Sequence, residues 1–167
     1  GTLVNLPDGQ AKLGFPFVTE DRILIDERAG YYFYATALPK TLGGGSFYLT
    51  GWRDQNDKLF DGTSTYRLRV PKDTPAKDFW SIIVYSMKTK GFIEGAPRVG
   101  ISSKDLSKMK VNADGSADIY FSPKAPAGLE SNWIPTGEDF FLIFRLYGPE
   151  KPLFDRSWTL DDVEKVK

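Results

Sequence analysis

The side chains of this sequence that could carry out chemistry are carboxylates, lysines and tyrosines, because its 167 residues include no histidine and no cysteine. Those two absences exclude disulfides, structural zinc, haem and iron–sulfur ligation, together with the Ser-His-Asp and Cys-His mechanisms. Carboxylate pairs could still hydrolyse a glycoside, and 22 acidic residues make some pairing inevitable. No pair has surroundings that would separate its two pKa values, so we predict no catalytic residues, no cofactor and no metal.

Two further segments fail as ligand sites. The acidic residues between positions 54 and 61 do not match the EF-hand calcium loop, which needs an oxygen ligand at its fifth position and glycine at its sixth. Those positions hold Lys58 and Leu59. The glycine triplet at 43–45 is followed by Ser46 and not by lysine or a helix, so it does not match a phosphate-binding loop. Both segments are interpreted as turns.

The four tryptophans are candidates for either a ligand platform or the hydrophobic core. Trp80 and Trp158 are predicted to pack in the core, as large aromatic side chains do in most β domains. Trp52 and Trp133 adjoin turns, where binding loops commonly lie, so both interpretations stay open for them. Tyr147 could join them in lining a sugar-stacking platform or an apolar cleft.

Arg145 stands in the most hydrophobic segment of the chain, residues 138–148, and needs polar partners there. Asp78, Asp118 and Glu130 are candidate carboxylate partners. With such a partner Arg145 would be an internal brace, which is the interpretation we favour. The alternative is a clamp for an anion or a carboxylate ligand in a cleft.

Asn132 lies beside Trp133, between two predicted connections. A buried amide usually satisfies loose backbone groups in such a loop, and a contact with a ligand is the alternative. The candidate ligand-binding residues are therefore Trp52, Asn132, Trp133, Arg145 and Tyr147.

Predicted strands separated by proline and glycine make up most of the chain after residue 45. Tyr66, Leu68 and Val70 alternate with polar residues, which is typical of an antiparallel strand with one face in water. Strands are predicted over residues 46–52, 65–70, 78–87, 116–122 and 138–148. A helical turn is predicted within 102–110, where Ser102 begins a capping box, and a short helix after Thr159.

This order of elements predicts an all-β fold, an antiparallel β-sandwich with short peripheral helices. Residues 46–167 are expected to form the sandwich. Residues 1–45 are expected to be an irregular and helical segment that packs on it, with a helix in the first half of 20–38, so that the chain is a single compact domain.

The charge balance argues against two classes of partner. Lysine plus arginine and aspartate plus glutamate number 22 each, so the net charge is zero. A nucleic-acid binder needs clustered positive charge, and no segment provides it. No stretch approaches the roughly 18 apolar residues of a membrane-spanning helix. We therefore expect no nucleic-acid partner and no membrane span.

Several segments together are similar to one protein family. They are FDG (60–62), TYRLRVP (65–71), PAKDFWSIIVY (75–85), VNADGSADIYFSPKAPAG (111–128), ESNWIPT (130–136) and FFLIFRLYGPEKPLFDRSW (140–158). Through them, residues 46–160 resemble the bacterial and viral domain of unknown function 1214, which commonly follows domain of unknown function 1254 in longer proteins. The resemblance implies a jelly-roll-like β-sandwich and no agreed activity.

The function that we predict is a non-catalytic structural or interaction module that binds a ligand or a partner. The alternative is a carbohydrate-binding or carboxylate-dependent hydrolase-like domain. The expected partners are an N-terminal partner domain, which the resemblance implies, or further copies of the chain in a homo-oligomer. The resemblance and the lack of cysteine favour a cell-envelope or secreted setting over the cytoplasm.

Overall fold

The computed structural model describes residues 45–166 together with Ile25. The chain divides into two compact units, residues 1–39 and residues 40–167. The strands and helices described in this section belong to the second unit. The predicted helix in the first half of 20–38, and the packing of residues 1–45 on the sandwich, lie outside the described residues and stay predictions.

Eight strands form two four-stranded sheets. The strands are β1 (Ser46–Gly51), β2 (Thr65–Val70), β3 (Ala76–Ser86), β4 (Gly100–Ser102), β5 (Ala117–Ser122), β6 (Trp133–Pro135), β7 (Phe140–Pro149) and β8 (Glu164–Val166). Sheet A has the order β1-β7-β3-β4, and sheet B has the order β6-β5-β2-β8. The prediction of an all-β sandwich is confirmed, whereas the jelly-roll connection of its strands stays a prediction.

Alternating side chains of both sheets build the core. Tyr66, Leu68 and Val70 of β2 are at most 2% exposed, and Leu142 and Leu146 of β7 are at most 3% exposed. All five belong to one buried cluster. The period-two pattern therefore identified the inward face of β2 correctly, because a strand points successive side chains to opposite faces.

Two of the tryptophans complete this core. Trp80 is 5% exposed and Trp158 is 8% exposed, so the prediction that both pack inside is confirmed. The ring of Trp80 stacks on that of Phe144, with 5.5 Å between the centroids. Aromatic pairs in this offset arrangement add to the stabilisation that burial alone provides.

The two longest strands lie in the middle of sheet A. β3 pairs with β7 on one side and with β4 on the other, and β7 also pairs with β1. A central strand has a neighbour on each edge, and β7 carries apolar side chains on both of its faces apart from Arg145. The strands predicted over 78–87 and 138–148 are confirmed, and Pro149 ends the second of them.

Sheet B contains one departure from the predicted antiparallel arrangement. Strand β6 pairs with β5 in parallel, through Tyr120 with Trp133 and two further residue pairs. The connection between them, residues 123–132, crosses back along the sheet before β6 begins, so the chain runs in the same direction twice. The remaining named strand pairs among the described residues are antiparallel.

The helical elements are short. A 3₁₀ helix spans Ser103–Lys108, and the backbone N–H of Ser102 donates to the Asp105 carboxylate over 2.8 Å, which confirms the predicted capped turn. A single α-helical turn, α1, spans Lys151–Phe154. None of the helices in the described part of the chain has the length and hydropathy needed to cross a membrane.

The short helix predicted after Thr159 is wrong. Residues 164–166 form β8, which pairs with residues 65–67 of β2. Val163 is 7% exposed and belongs to the core cluster. The adjacent acidic residues at 161 and 162 favour a helix start locally, but pairing with the open edge of β2 outweighs that weak preference.

Candidate binding face

The outer faces of the two sheets differ in chemistry. On sheet B, the outward side chains of β2, β5 and β8 form ion pairs: Arg67 pairs with Glu164, and Arg69 Nε lies 3.0 Å from Asp118 Oδ1. Charged and polar residues are what an antiparallel sheet presents to water. The outer face of sheet B is therefore charged where β2, β5 and β8 meet, and it carries Tyr120 and Trp133 towards β6.

The outer face of sheet A is instead largely apolar and aromatic. Alternate positions of β1, β3 and β7 supply its apolar and aromatic side chains together with Arg145, and three small polar ones, Ser46, Thr50 and Ser81. The apolar and aromatic members are Tyr48, Phe79, Ile83, Tyr85, Phe141, Ile143 and Tyr147. Phe141 is 0% exposed and Ile143 is 5% exposed, although neither belongs to the core cluster between the sheets. Sheet A therefore carries a second apolar layer on its outer side.

Aromatic rings on this face pack against one another. Trp52 stacks on Phe141, with 4.3 Å between centroids and 11° between planes, and Tyr85 stacks on the same ring at 5.2 Å. At the other end of the face, Phe79 and Tyr147 stack at 4.2 Å. The rings stack on one another, so their faces are not open for stacking on a ligand such as a sugar. The arrangement is instead a packed layer of aromatic side chains.

Arg145 supplies the only charge that β7 contributes to this face. It stands opposite Tyr48 on β1 and Ser81 on β3. Its guanidinium donates to the Tyr85 hydroxyl, and its Cζ lies 5.7 Å from the ring centroid of Tyr48. The Nε atom is buried, with no hydrogen-bond partner among the described residues. Aromatic rings, which attract cations through their faces, thus surround the guanidinium.

The predicted carboxylate partners of Arg145 are wrong. Asp118 lies on β5 of sheet B and pairs with Arg69. Glu130 accepts a hydrogen bond from the backbone N–H of Gly128 over 2.9 Å. Asp78 makes no ion pair with Arg145 within the described ranges either. Sequence reasoning did not reveal that sheet B, and not sheet A, would hold Asp118.

Asn132 and Trp133 lie away from this face. Asn132 is 1% exposed, its Oδ1 accepts from the Lys110 N–H over 2.8 Å, and its Nδ2 donates to the carbonyls of Lys110 (2.8 Å) and Asp118 (2.9 Å). The indole N–H of Trp133 donates to the carbonyl of Ser122 over 2.9 Å. These contacts support the structural interpretation of Asn132.

The structure thus brings three of the five candidate residues to one face. Trp52, Arg145 and Tyr147 share the outer face of sheet A. Trp133 is the first residue of β6 in sheet B, and Asn132 directly precedes it. The candidates chosen from the sequence missed the other aromatic and aliphatic members of the face, which are Tyr48, Phe79, Ile83, Tyr85, Phe141 and Ile143. The sequence of β7 contained a signal for Phe141 and Ile143, because it is apolar on both faces of the strand and not on the inward face alone.

The acidic residues are engaged in local structure. Asp54 Oδ1 accepts from the backbone N–H groups of Asn56 (2.8 Å) and Lys58 (3.1 Å), so it closes its own turn. Asp61 accepts from the Tyr66 hydroxyl over 2.9 Å and from Lys165 over 3.0 Å. No group of three or more potential metal ligands occurs in the part of the chain that the structure describes.

Comparison with known proteins identifies the family and the fold. A family model described as "Protein of unknown function (DUF1214)" matches residues 45–151. The solved structure of the VPA0106 protein from Vibrio parahaemolyticus aligns with a TM-score of 0.66 and 20% identity, over 81% of this chain and 34% of that chain. A putative uncharacterized protein from Burkholderia cenocepacia aligns with a TM-score of 0.45 and 19% identity, over 73% of this chain and 29% of that one. No curated protein matches the sequence.

The alignment with the Vibrio parahaemolyticus structure, at 20% identity, shows similarity of fold alone. This chain spans about a third of the length of that protein. The family match is broader evidence, because it extends over β1 to β7. The chain belongs to the family of proteins of unknown function DUF1214.

Proposed function

We propose that this domain is a non-catalytic interaction module that binds a protein partner through the outer face of sheet A. The observation that carries the proposal is the contrast between the two outer faces. Sheet B presents ion pairs to solvent, whereas sheet A presents stacked aromatic and aliphatic side chains around Arg145. The members of this face that solvent still reaches, among them Ile83 and Tyr147, are the ones that a partner would cover, and exposed apolar patches mark interaction sites in soluble proteins.

The energetics favour a partner that covers the face. Ile83, Tyr85 and Tyr147 are only half-buried, and Phe92, which stacks on Tyr85, is 56% exposed. Removing apolar surface from water stabilises a complex by about 25 cal/mol per Å². Aromatic residues and arginine are also enriched where interfaces bind most tightly.

The partner that we propose for this chain is a second copy. Symmetric association places the same patch of both molecules in contact, so one apolar face suffices for a dimer. In longer proteins that contain this domain, we propose that a neighbouring domain takes that place.

Sedimentation velocity of the 167-residue chain over a wide range of protein concentration tests the proposal. We expect the sedimentation coefficient to rise with concentration for the parent chain. Ile83→Lys and Tyr147→Lys, which place a charge on the outer face of sheet A, should keep the chain monomeric because a buried unpaired charge is costly. Circular dichroism establishes that each variant is folded.

Tyr120→Lys is the matched control, since Tyr120 is a half-buried residue on the outer face of sheet B. It should associate like the parent. A parent chain that stays monomeric at every concentration would contradict the proposal, as would equal loss of association in Tyr120→Lys and in the two variants of sheet A.

A further inference from the structure

A separate cavity lies at the side of the sandwich where β1 and β8 form the two sheet edges. Its volume is about 200 Å³, and it opens to solvent between β1 and residues 160–163. Its floor consists of core side chains from both sheets, Leu68, Ile82, Leu142 and Phe144. The cavity is lined by neither Trp52 nor Arg145, so it is independent of the outer face of sheet A.

The floor determines the apolar part of a ligand. Its four side chains are at most 3% exposed, so they close the inner end of the cavity, and the half-buried Leu49 and Leu160 above them provide its accessible apolar surface. An apolar cavity of about 150 Å³ in another protein is large enough to bind benzene. A cavity of about 200 Å³ therefore accommodates one aromatic ring or a short alkyl chain, with room for one further group at the mouth.

The rim determines the charge of the ligand. Asp161 and Asp162 line the mouth and are exposed, and neither forms an ion pair within the described ranges. Arg53 also lines the mouth, but its Nε lies 3.6 Å from Asp57 Oδ1 and its Nη1 donates to the Asp57 carbonyl over 2.7 Å. The charge of Arg53 is therefore compensated, and Asp161 and Asp162 make the mouth negative, although Asp161 also lines a neighbouring pocket with Arg69, which pairs with Asp118, and Lys72.

We propose that this cavity binds a small amphipathic cation, an aryl- or alkylammonium compound. The apolar group lies at the open side of the sandwich and contacts Leu49 and Leu160. The ammonium group stays at the mouth, beside Asp161 and Asp162, where it remains partly hydrated. The charge then selects among ligands whose apolar groups fit equally well.

Titration of the isotopically labelled chain with benzylamine, benzyl alcohol and benzoate, followed by the NMR shifts of backbone amides, tests the site. The three probes share an aromatic ring and differ in charge. We expect the shift changes to centre on residues 49–53 and 160–163. Benzylamine should bind roughly threefold more tightly than benzyl alcohol, since exposed charge pairs contribute modestly, and benzoate should bind more weakly than either.

Variants separate the apolar and the charged contributions. The double change Asp161→Asn and Asp162→Asn should abolish the preference for benzylamine and leave the affinity for benzyl alcohol unchanged. Leu160→Trp, which fills the cavity from its rim, should abolish binding of both. The matched control removes two exposed carboxylates elsewhere, Glu94→Gln with Glu150→Gln, and should behave like the parent.

Three results would overturn the inference. Shift changes confined to other parts of the chain would show that the probes bind elsewhere. Tightest binding of benzoate would show that Arg53 sets the ligand class. An unchanged preference for benzylamine in the variant without Asp161 and Asp162 would remove the carboxylates from the site.

Discussion

The side-chain amide of Asn132 joins two segments of backbone inside the protein. It accepts one hydrogen bond from Lys110 and donates one each to the carbonyls of Lys110 and Asp118. At 1% exposure, water cannot replace these partners once the amide is gone. A buried backbone group that has no hydrogen-bond partner costs free energy. Asn132 therefore stabilises the fold mainly through its hydrogen bonds to three backbone groups.

We expect Asn132→Ala to lower the free energy of unfolding by about 2–3 kcal/mol, because three backbone groups lose their partner. Urea denaturation followed by tryptophan fluorescence measures the change. Asn56→Ala is the control, since Asn56 is exposed in the turn at 54–58. Its effect should stay within about 0.5 kcal/mol. Equal losses in both variants would refute the role assigned to the Asn132 amide.

The connection between β1 and β2 lies directly against the chain that enters β7. A Cβ atom on Gly62 would lie 2.3 Å from the carbonyl carbon of Glu138 and 2.4 Å from its Cα. The N–H of Gly62 donates to Asp139 Oδ1 over 3.3 Å. Only glycine permits this approach, because the atoms that would clash belong to backbone and not to a flexible side chain.

Gly62→Ala should therefore destabilise the protein by about 2 kcal/mol or more, since the two connections must move apart. Thermal unfolding measures the effect. Gly91→Ala is the matched change, because the nearest atom to its new Cβ would be Thr89 Oγ1 at 3.7 Å, an ordinary contact. That variant should keep the parent melting temperature, and a similar loss at both positions would argue against close packing at Gly62.

One carboxylate links distant parts of the whole molecule and makes its stability depend on pH. Asp61 follows β1 in sequence, contacts Tyr66 of β2 and pairs with Lys165 of β8. Burial opposes ionisation of this carboxyl, but hydrogen bonds from Thr63, Ser64, Lys165 and Tyr66 outweigh it and hold the pKa of Asp61 well below its usual range.

In the unfolded chain, Asp61 becomes protonated below about pH 4. The folded protein keeps Asp61 ionised in that range, because its folded pKa is lower. Its contribution to stability is present above that pH and is lost as the pH falls towards the lower folded pKa. We expect Asp61→Asn to be less stable than the parent at neutral pH and to lose less stability on acidification below about pH 4.

Melting temperatures measured across the acid range check this expectation. Asp57→Asn is the control, since the Asp57 side chain is 90% exposed and forms a surface pair with Arg53. It should follow the acid dependence of the parent. Parallel curves for Asp61→Asn and the parent would show that Asp61 does not govern acid unfolding.

The local pattern of the sequence determined much of the sandwich. Alternation in 65–70 identified the inward side chains of β2, and apolar character predicted the strands at 78–87 and 138–148, which are β3 and β7. These features depend on the residue and its immediate neighbours, since a strand alternates its faces along its own length. The capped turn at Ser102 was predictable for the same local reason.

Only the tertiary structure decided which segments meet. The pairing of β8 with β2, the rings around Arg145 and the backbone partners of Asn132 all join residues far apart in sequence. Tertiary structure also placed Phe141 and Tyr147 of β7 on one outer face and the ion pairs on the other. The physical reason is that contacts between strands depend on sheet order and register, which arise when the two layers bury their apolar sides together and which no short stretch of sequence encodes.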